Sequence, residues 1–370
     1  MSSVNLEFKD IQPMFLPLQP ALPSVPGEGP PVIIYPPTID WNWMKQRPQQ
    51  LMEQFARHGH EVYYCNKTQL PGSEIVALQD NLNLVQDNIA FIRTKIPELK
   101  QQGRRIMIWV SWSKLYAYVD QYQPDLVVYD YVDDIPEWAP YLDLMVKRAD
   151  MVVTSARALQ RQIARSYPDT PSLLVPNGCD LDHFRRHRRA APPKPAELQG
   201  LRGPIAGFVG AWAHWVDQSL IHQLARHYPA INFVIVGVEY AAQVDRSIGN
   251  LHYVGYRTYE ELPDYLYFFD ACLIPFKINE ITIAANPVKM YEYLASGKKV
   301  LSTDLPEVRQ VPHVWIGRGL QDWKRLLPQV LSDATKFDVE ANDRWLRQQS
   351  WAMRYRLIIE ALRSRLHVPV

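Results

Sequence analysis

The segment "NPVKMYEYLASGKKV", residues 286–300, decides the fold, because it reads as a helix that leads directly into a strand. Asn286 is a good N-cap, and Pro287 suits the first helical position, where its missing N–H costs nothing. Gly297 stands where a left-handed C-cap is expected, and "KKVLS" then resumes as a buried strand. Helices that alternate with buried strands are typical of a parallel α/β sheet.

Lys289 and Glu292 lie one turn apart on the same face of this predicted helix. One interpretation is an i,i+3 ion pair on a solvated surface, worth a few tenths of a kcal/mol. The other is a nucleotide-sugar site, with phosphates at the helix N-terminus near Lys289 and ribose hydroxyls held by Glu292. These two residues alone do not distinguish the two interpretations.

The composition narrows the class of protein. At 370 residues the chain exceeds the usual size of one hydrophobic core, so we expect two domains. A formal net charge of +1 argues against nucleic acid as the main partner. Three cysteines without CxxC spacing suit a reducing cytoplasm, and no apolar run of about 18 residues is present to span a bilayer. We expect a cytoplasmic protein, with peripheral contact at the inner face of the membrane left open.

The first half of the chain alternates short apolar runs with helical patterns. Residues 1–30 are rich in proline and predict an extended arm, because such a segment forms neither a regular helix nor a central strand. Residues 31–190 form the first predicted domain, which includes the amphipathic helix "RPQQLMEQFARHGH" (47–60). Its predicted strands are "VIIY" (32–35), "EVYYC" (61–65), "IMIWV" (106–110), "LVVYD" (126–130), "MVVTS" (151–155) and "LLVPN" (173–177).

The pattern breaks and then restarts. Residues 191–200 lack apolar periodicity and are rich in proline, so we predict an interdomain linker there. Residues 201–337 form a second domain, and residues 338–370 predict C-terminal helices with no further strand. The strands of the second domain are "PIAGFVG" (204–210), "INFVIVG" (231–237), "LHYVG" (251–255), "ACLIPF" (271–276), "KKVLS" (298–302) and "HVWIG" (313–317). The expected fold class is α/β, with two doubly wound parallel-sheet domains that face each other across a cleft.

Open sheets of this kind bind ligands beyond the carboxyl ends of their strands, so the candidate site residues should follow strands. In the first half, Asp40 and Arg47 follow the first strand, and Asp130, Asp133 and Asp134 gather after "LVVYD". The second half supplies the remaining candidates from its own strand ends, which are Gly210, Trp212, Glu239, Tyr256, Arg257, Lys277 and Thr282.

Seven stretches, taken in order, resemble a GT-B-fold glycosyltransferase of the large retaining family 4. The similar branch includes teichuronic-acid-type cell-surface polysaccharide transferases. The stretches cover most of residues 31–305 and are "DWNWMKQRPQQL", "VVYDYVDD", "RADMVVTSARAL", "VPNGCDLDHF", "YVGYRTYEELPDYL", "ACLIPF" and "NPVKMYEYLASGKKVLST". A later stretch, "SWAMRYRLIIEAL", is similar to the family's final helix, which crosses back onto the N-terminal domain.

The resemblance implies an activity in cell-envelope polysaccharide biosynthesis. A hexose would move from a nucleotide-diphosphate sugar to a hydroxyl of a saccharide or lipid-linked acceptor. The resemblance further implies retention, with neither a metal nor a cofactor besides the donor. In such a mechanism the acceptor hydroxyl attacks on the leaving-group face, and the departing phosphate oxygen takes its proton.

The resemblance also implies roles for individual residues. Glu292 matches the second glutamate of the family's E-x7-E motif, which holds the donor ribose, and Tyr256 and Arg257 fall where the family cradles the base. Asp133 and Asp134 lie where other members place an acceptor-side acid or histidine. The full donor set is Glu292, Lys289, Asn286, Pro287, Thr282, Tyr256, Arg257, Gly210, Trp212, Glu239 and Lys277, and the catalytic set is Asp133, Asp134, Asp40 and Arg47.

Two departures from the family pattern leave an alternative open. The first glutamate of the motif should fall at Ala284 and is absent, and "GAWAHWVDQ" lacks the Arg and Lys that clamp the diphosphate. Thr282 and Asn286 compensate for the glutamate in our hypothesis, and Lys289, Lys277 or Arg47 supplies the positive charge. The rival is a catalytically degenerate GT-B subunit that binds a saccharide or a partner transferase.

Three further features each have two interpretations. The tripeptide "DLD" (180–182) matches a metal-binding motif, but its position after "PNG" favours a turn. Trp212 and its neighbours either stack on a ligand or plug a core edge. The cluster Arg185, Arg186, Arg188 and Arg189 is a solvated linker or a contact for anionic lipid.

Overall fold

The computed structural model describes residues 11, 14–16, 29–309, 311–332 and 337–366. Contacts divide the chain into two compact units. Unit I comprises the described residues up to Pro176 together with those from Trp351 onward, and unit II comprises those of Asn177–Ser350. The chain therefore leaves unit I once and returns to it for its last helix.

Unit I is a parallel sheet with one antiparallel edge strand. Its strands are β1 (Val32–Tyr35), β2 (Val62–Cys65), β3 (Val76–Gln79), β4 (Leu82–Val85), β5 (Ile106–Val110), β6 (Leu126–Tyr131), β7 (Met151–Thr154) and β8 (Ser172–Leu174). Its α-helices with described bounds are α1 (Arg47–Arg57), α2 (Asn88–Gln101), α3 (Ala139–Arg148), α4 (Arg157–Ser166) and the last helix, Trp351–Leu366. The sheet order is β3-β4-β2-β1-β5-β6-β7-β8, and β3 runs antiparallel to β4.

The central strands of unit I are apolar on both faces. Every residue of β1 and β5 is buried, as expected for a parallel sheet with both faces covered. The last helix closes one side, because Tyr355 lies edge-on to Phe55 of α1 with ring centroids 5.4 Å apart and stacks on His58 at 4.0 Å. The predicted return of the last helix thus has its packing partner in α1.

The predicted N-terminal arm is described at only a few of its residues. Phe15 stacks on Tyr118 with ring centroids 4.6 Å apart, and the Asn88 side-chain amide donates to the Met14 carbonyl at 2.7 Å. Ile11 is buried as well. These residues pack on unit I, and the rest of the arm prediction lies outside the described residues.

Unit II contains a doubly wound parallel sheet of six strands and a separate parallel pair. Its strands are β9 (Ile205–Val209), β10 (Trp212–Ala213), β11 (Asn232–Val236), β12 (Glu239–Tyr240), β13 (Leu251–Gly255), β14 (Ala271–Ile274), β15 (Lys299–Thr303) and β16 (Val314–Gly317). Its helices are α5 (Leu181–Arg185), α6 (Gln218–His227), α7 (Leu262–Tyr267), α8 (Glu280–Ile283), α9 (Val288–Ala295), α10 (Leu320–Leu331) and α11 (Val339–Arg347). The last helix of the chain is α12.

The order of the main sheet of unit II is β13-β11-β9-β14-β15-β16, with β10 and β12 paired apart from it. The chain winds outward from β9 in one direction and then from β14 in the other. The topological switch point therefore lies between β9 and β14, where open α/β sheets bind ligands.

The unit boundary differs from the predicted linker. Residues 191–200 lie inside unit II, and the boundary follows Pro176 instead. Leu198 is buried, and Glu197 accepts a hydrogen bond from the Tyr265 hydroxyl at 2.9 Å. The lack of apolar periodicity in this stretch reflects a loop that packs through single residues.

Candidate functional site

At the switch point of unit II, Tyr293 bonds to β9 where this strand diverges from β14. β9 and β14 are paired only at Ala206 with Ala271 and at Gly207 with Cys272. Further along, the Tyr293 hydroxyl of α9 accepts from the Val209 amide at 2.8 Å and donates to the Val209 carbonyl at 3.3 Å. A side chain of α9 thus completes the hydrogen bonding of β9 where the two strands diverge.

Gly210, directly after β9, lies against Lys289 of α9. Its φ is 140°, and a Cβ built there would come within 2.0 Å of Lys289 Cε and 2.7 Å of Nζ. A Cβ on Gly237, directly after β11, would come within 2.0 Å of the Gly210 carbonyl oxygen. Both glycines are therefore required by close approach, and they bring the first turn of α9 against the strand ends.

Lys289 and Glu292 occupy this edge without pairing. Glu292 is only 8% exposed, and no hydrogen bond or ion pair to its carboxylate is found among the described residues. Burial raises the pKa of Glu292 to about 7, and the nearby Lys289 ammonium opposes the rise. Burial likewise lowers the pKa of Lys289. The interpretation of these residues as a solvated surface ion pair is wrong, because Glu292 is buried and no ion pair forms.

The start of α9 differs from the prediction by one residue. The helix begins at Val288 with Pro287 in the N-cap position, so the prediction that Asn286 caps the helix is wrong. The buried Asn286 side chain instead accepts from the Asn177 amide at 3.0 Å and donates to Glu307 at 3.3 Å. These contacts tie the loop before α9 to the first residue of unit II.

The predicted end of α9 is confirmed. Gly297 has a φ of 75°, and the Lys298 amide donates to the Tyr293 carbonyl at 3.0 Å. This left-handed termination lets the chain turn directly into β15.

Thr282 and Lys277 lie in the loop that follows β14. The Thr282 hydroxyl donates to the Lys277 carbonyl at 2.5 Å, and its amide is capped by the Asn279 side chain at 3.0 Å. Thr282 therefore fixes the short helix α8. The Lys277 side chain is exposed, while its amide donates to the Trp215 carbonyl at 2.8 Å.

Trp212 and Glu239 are engaged within unit II. Trp212 is fully buried next to Phe208, with ring centroids 6.0 Å apart, so it is positioned as a core residue and not as a stacking platform. The Glu239 carboxylate accepts two hydrogen bonds from Arg246, at 2.9 and 3.0 Å, and these lower its pKa. It also accepts from the Val244 amide at 2.7 Å, which closes its loop.

Tyr256 and Arg257 follow β13. Tyr256 is 40% exposed, but the Arg257 guanidinium donates to the Tyr265 hydroxyl at 2.6 Å and to Glu197. The stretch predicted to be a linker thus engages the arginine predicted to cradle the base.

In unit I, Arg47 and Asp130 form a buried ion pair. The guanidinium of Arg47 donates to both carboxylate oxygens of Asp130 at 2.8 Å and to the Val175 carbonyl at 2.9 Å. Asp130 is fully buried and also accepts from the Trp109 indole at 3.1 Å. Arg47 is therefore committed to Asp130, which does not favour a role for it in holding phosphate.

The other three acidic candidates of unit I have different surroundings. Asp40 accepts from the amide and the hydroxyl of Thr68, at 2.7 and 2.6 Å, and Asp134 accepts from the Tyr131 hydroxyl at 2.7 Å. For Asp133 no hydrogen bond is found among the described residues, and burial together with Asp130 raises its pKa to about 6. Asp133 thus differs from Asp40, Asp130 and Asp134, each of which accepts a hydrogen bond from a protein donor.

Sequence reasoning missed three residues that shape the unit II site: Tyr293, Gly237 and Asn177. The pattern offered a signal for Gly237, because "VIVG" repeats the ending of "GFVG" on the neighbouring strand. Nothing local marks Tyr293 or Asn177, whose partners lie far along the chain.

The described part of the chain contains neither a cluster of metal ligands nor a membrane-spanning helix. No group of three or more His, Cys, Asp or Glu side chains is arranged there to hold a metal ion. No helix in those ranges has the length and apolar character needed to cross a membrane.

The two sheets and their connections define the fold as GT-B. The α,α-trehalose 6-phosphate synthase of Burkholderia multivorans matches with a TM-score of 0.66 at 11% identity, over 91% of this chain and 99% of that one. HepE of Anabaena, solved with UDP and glucose, matches with a TM-score of 0.65 at 14% identity, over 90% and 99%. At these identities the likeness shows the fold alone.

A curated relative adds similarity in sequence. The chain is 26% identical over 242 residues to "Putative teichuronic acid biosynthesis glycosyltransferase TuaH" of Bacillus subtilis (strain 168). The match covers 58% of this chain and 59% of the relative's length. No family model matches the chain.

Proposed function

We propose that the chain is a glycosyltransferase that moves a hexose from a nucleotide-diphosphate sugar to a hydroxyl of a saccharide or lipid-linked acceptor. The observation that carries the proposal is the buried, unpartnered carboxylate of Glu292 beside Lys289 at the switch point of unit II. Glu292 is 8% exposed and its carboxylate accepts no hydrogen bond from the described residues, so a ligand hydroxyl can donate to it in a poorly solvated environment. The GT-B fold and the sequence relative support the same class of reaction.

Each charged group has one role in this proposal. The ribose hydroxyls donate to Glu292, and the diphosphate lies between the Lys289 ammonium and the amides that open α9. The cation and the helix dipole stabilise the charge that develops as the bond from the sugar to phosphate breaks. No Arg or Lys of the loop after β9 is needed, because Lys289 reaches that loop from α9.

Transfer proceeds with retention and without a metal in this proposal. The acceptor hydroxyl attacks the anomeric carbon on the face of the leaving diphosphate, the sugar–phosphate bond breaks, and a phosphate oxygen takes the acceptor proton. Asp133 accepts a hydrogen bond from the acceptor hydroxyl and orients it. Its raised pKa of about 6 leaves it mostly ionised near neutral pH.

The proteins that the chain resembles suggest a donor, an acceptor and a location, which we add to the proposal. HepE is described with UDP and glucose, so we propose a UDP-sugar as the first donor to test. The relative named for teichuronic acid biosynthesis supports an acceptor in cell-envelope polysaccharide synthesis. We propose a cytoplasmic location, and a lipid-linked acceptor would add peripheral contact at the inner face of the membrane.

The test is release of nucleoside diphosphate from UDP-, GDP- and dTDP-sugars, with and without saccharide acceptors. We expect release from one donor, lowered roughly ten- to a hundredfold in Glu292→Gln, since this change removes a charge-assisted hydrogen bond. The matched control is Glu280→Gln, an exposed glutamate of α8. No nucleotide binding at all, or an equal loss in both variants, would refute the proposal.

The second candidate is a degenerate GT-B subunit that binds a saccharide or a partner transferase without turnover. One observation favours it: Ala284, where the first glutamate of the motif belongs, carries no carboxylate and is buried at 6% exposure. Tight nucleotide binding without release in the same assay, lost in Glu292→Gln, identifies this candidate.

A further inference from the structure

Unit II contains a cavity of about 250 Å³ at the end of α9 opposite to Lys289. Its wall comes from three places: the segment after α5, the helix α7, and the residues that follow α9. Basic side chains dominate the polar part of this wall, namely His187, Arg188, Arg189 and Lys298. Phe184, Pro263 and Tyr267 supply its apolar part.

Acidic residues pair with two of these wall side chains, Arg188 and His187. Arg188 donates to both oxygens of Asp343, at 2.7 and 2.9 Å, while Arg186 and His187 share one oxygen of Asp264. These pairs fix the shape of the wall.

Two cations of the wall have no acidic partner among the residues that the structure describes. Arg189 is exposed and has neither a hydrogen bond nor an ion pair to any residue that the structure describes. The Lys298 ammonium donates to the Tyr267 carbonyl at 2.6 Å, which is a neutral acceptor. Burial lowers the pKa of Lys298, so its charge is poorly solvated where it stands. Arg189 and Lys298 therefore offer positive charge to the cavity.

We propose that this cavity is a binding site for a small phosphate-bearing anion, separate from the donor site. Guanidinium groups bind phosphate through paired hydrogen bonds, and a half-buried ammonium gains most from a charged acceptor. The volume lies below the range of about 300–1,000 Å³ that is usual for sites of larger ligands, so it suits a phosphate or pyrophosphate group and not a whole nucleotide sugar. The group is free in solution or belongs to a lipid headgroup.

The site is joined to the helix that carries Lys289 and Glu292. Arg188 donates to the carbonyl of Ala295, the last residue of α9, at 3.2 Å, and Ser296 and Lys298 of the wall flank the Gly297 turn. An anion that draws on Arg188 thus acts on the C-terminal end of the same helix. The proposal does not require that nucleotide binds at the other end.

The experiment uses the full chain with Lys289→Met, so that an anion cannot be held by that lysine. Titration calorimetry with pyrophosphate is compared with binding to phosphatidylcholine vesicles with and without phosphatidic acid. We expect Arg189→Gln to weaken binding about tenfold, as for the loss of one charge-assisted hydrogen bond. Lys298→Met should weaken it similarly, and Arg202→Gln, an exposed arginine of unit II outside the cavity, should not.

The arms of the experiment separate the outcomes. Dependence on Arg189 in the pyrophosphate arm supports a soluble ligand, and the same dependence only with phosphatidic acid supports a headgroup. Absence of binding in both arms, or binding that neither Arg189→Gln nor Lys298→Met weakens, would overturn the proposal. Because Lys289 is already replaced, failure here leaves the nucleotide-release test of the proposed function unaffected.

Discussion

Gly210 and Lys289 determine the geometry of the candidate donor site because they share the same small space. The lysine side chain passes over an α-carbon that carries no Cβ and so reaches the loop after β9 from α9. The family's clamp residues are absent from that loop, so the positive charge at this edge depends on one residue pair.

Replacing Gly210 by alanine should therefore displace Lys289. The added Cβ would overlap Lys289 Cε, and a φ of 140° is strained for any L side chain. We expect nucleoside diphosphate affinity, measured by calorimetry, to fall about tenfold or more. Gly249→Ala is the matched control, because its Cβ would meet nothing within 4 Å. Equal affinities of the two variants would contradict the role given to Gly210.

Glu292 should make stability depend on pH. Its folded-state pKa of about 7 lies above the ordinary value of 4.5, so between these pH values the folded state holds a proton that the unfolded state has lost. The free energy of unfolding therefore falls as pH rises through this window, by about 3 kcal/mol. Urea unfolding of wild type and Glu292→Gln at several pH values measures this difference. As the pH rises through this window, the free energy of unfolding should fall less in Glu292→Gln than in the wild type. Parallel pH profiles of the two proteins would refute the expectation.

Among the elements of unit II, α9 does most to form the site, since it supplies Lys289 and Glu292 and also separates β9 from β14. Tyr293 anchors it with two hydrogen bonds to Val209. One eight-residue helix thus combines the proposed ligand contacts with a side chain that bonds to β9 at the switch point.

Tyr293→Phe tests this anchor. The change leaves the buried amide and carbonyl of Val209 without their partner, which costs about 1–3 kcal/mol of unfolding free energy. Tyr267→Phe, on a half-exposed tyrosine of α7, should cost much less. Urea unfolding followed by circular dichroism compares the two, and equal costs would show that the hydroxyl of Tyr293 adds nothing.

Asp133 and Asp134 follow the carboxyl end of β6, and we expect their substitution to have different effects on kcat. Asp134 is held by Tyr131, whereas Asp133 has a raised pKa and no such bond. We expect Asp133→Asn to lower the kcat for transfer to an acceptor by roughly tenfold or more, with nucleotide affinity unchanged. Asp134→Asn should have a smaller effect on kcat. A loss of nucleotide affinity in Asp133→Asn would instead assign it to the donor side.

At the level of the whole molecule, the two units carry separate cores and separate buried charges. The contacts of Arg47 with Asp130 and Val175 lie in unit I, whereas Glu292 and the nearby Lys289 both lie in unit II. Damage to one core should therefore be local.

Arg47→Met tests this independence. It leaves the Asp130 carboxylate buried without its cation, a change that typically costs about 3–5 kcal/mol. Hydrogen exchange measured by mass spectrometry should speed up in β1, β5 and β6, with little change in β9, β11 and β14. The control is Arg57→Met on the exposed end of α1. Uniform acceleration across both units would show that they unfold together.

Much of this architecture could be predicted from sequence, because parallel strands buried on both faces appear as short continuous apolar runs. "VIIY" and "IMIWV" became β1 and β5, and Gly297 ended its helix as expected. The spacing of Lys289 and Glu292 likewise indicated one shared face.

The partners of the site residues could not be predicted, since they lie far away in sequence. Asn286 binds Asn177, 109 positions away, in place of capping its own helix. Arg257 is drawn to Glu197, 60 positions away. Local patterns carry no information about such pairings, which depend on how the strands are ordered.

The tyrosine at the switch point has one more consequence. Backbone pairing joins β9 to β14 at only two residue pairs. The main sheet of unit II therefore consists of two three-stranded parts, β13-β11-β9 and β14-β15-β16, with a short junction between them. Backbone pairing constrains all residues along a strand. A junction that a side chain completes can instead be altered by substitution at that one position. A substitution at Tyr293 should therefore alter how β9 meets β14, while the pairing within β13-β11-β9 and within β14-β15-β16 is kept.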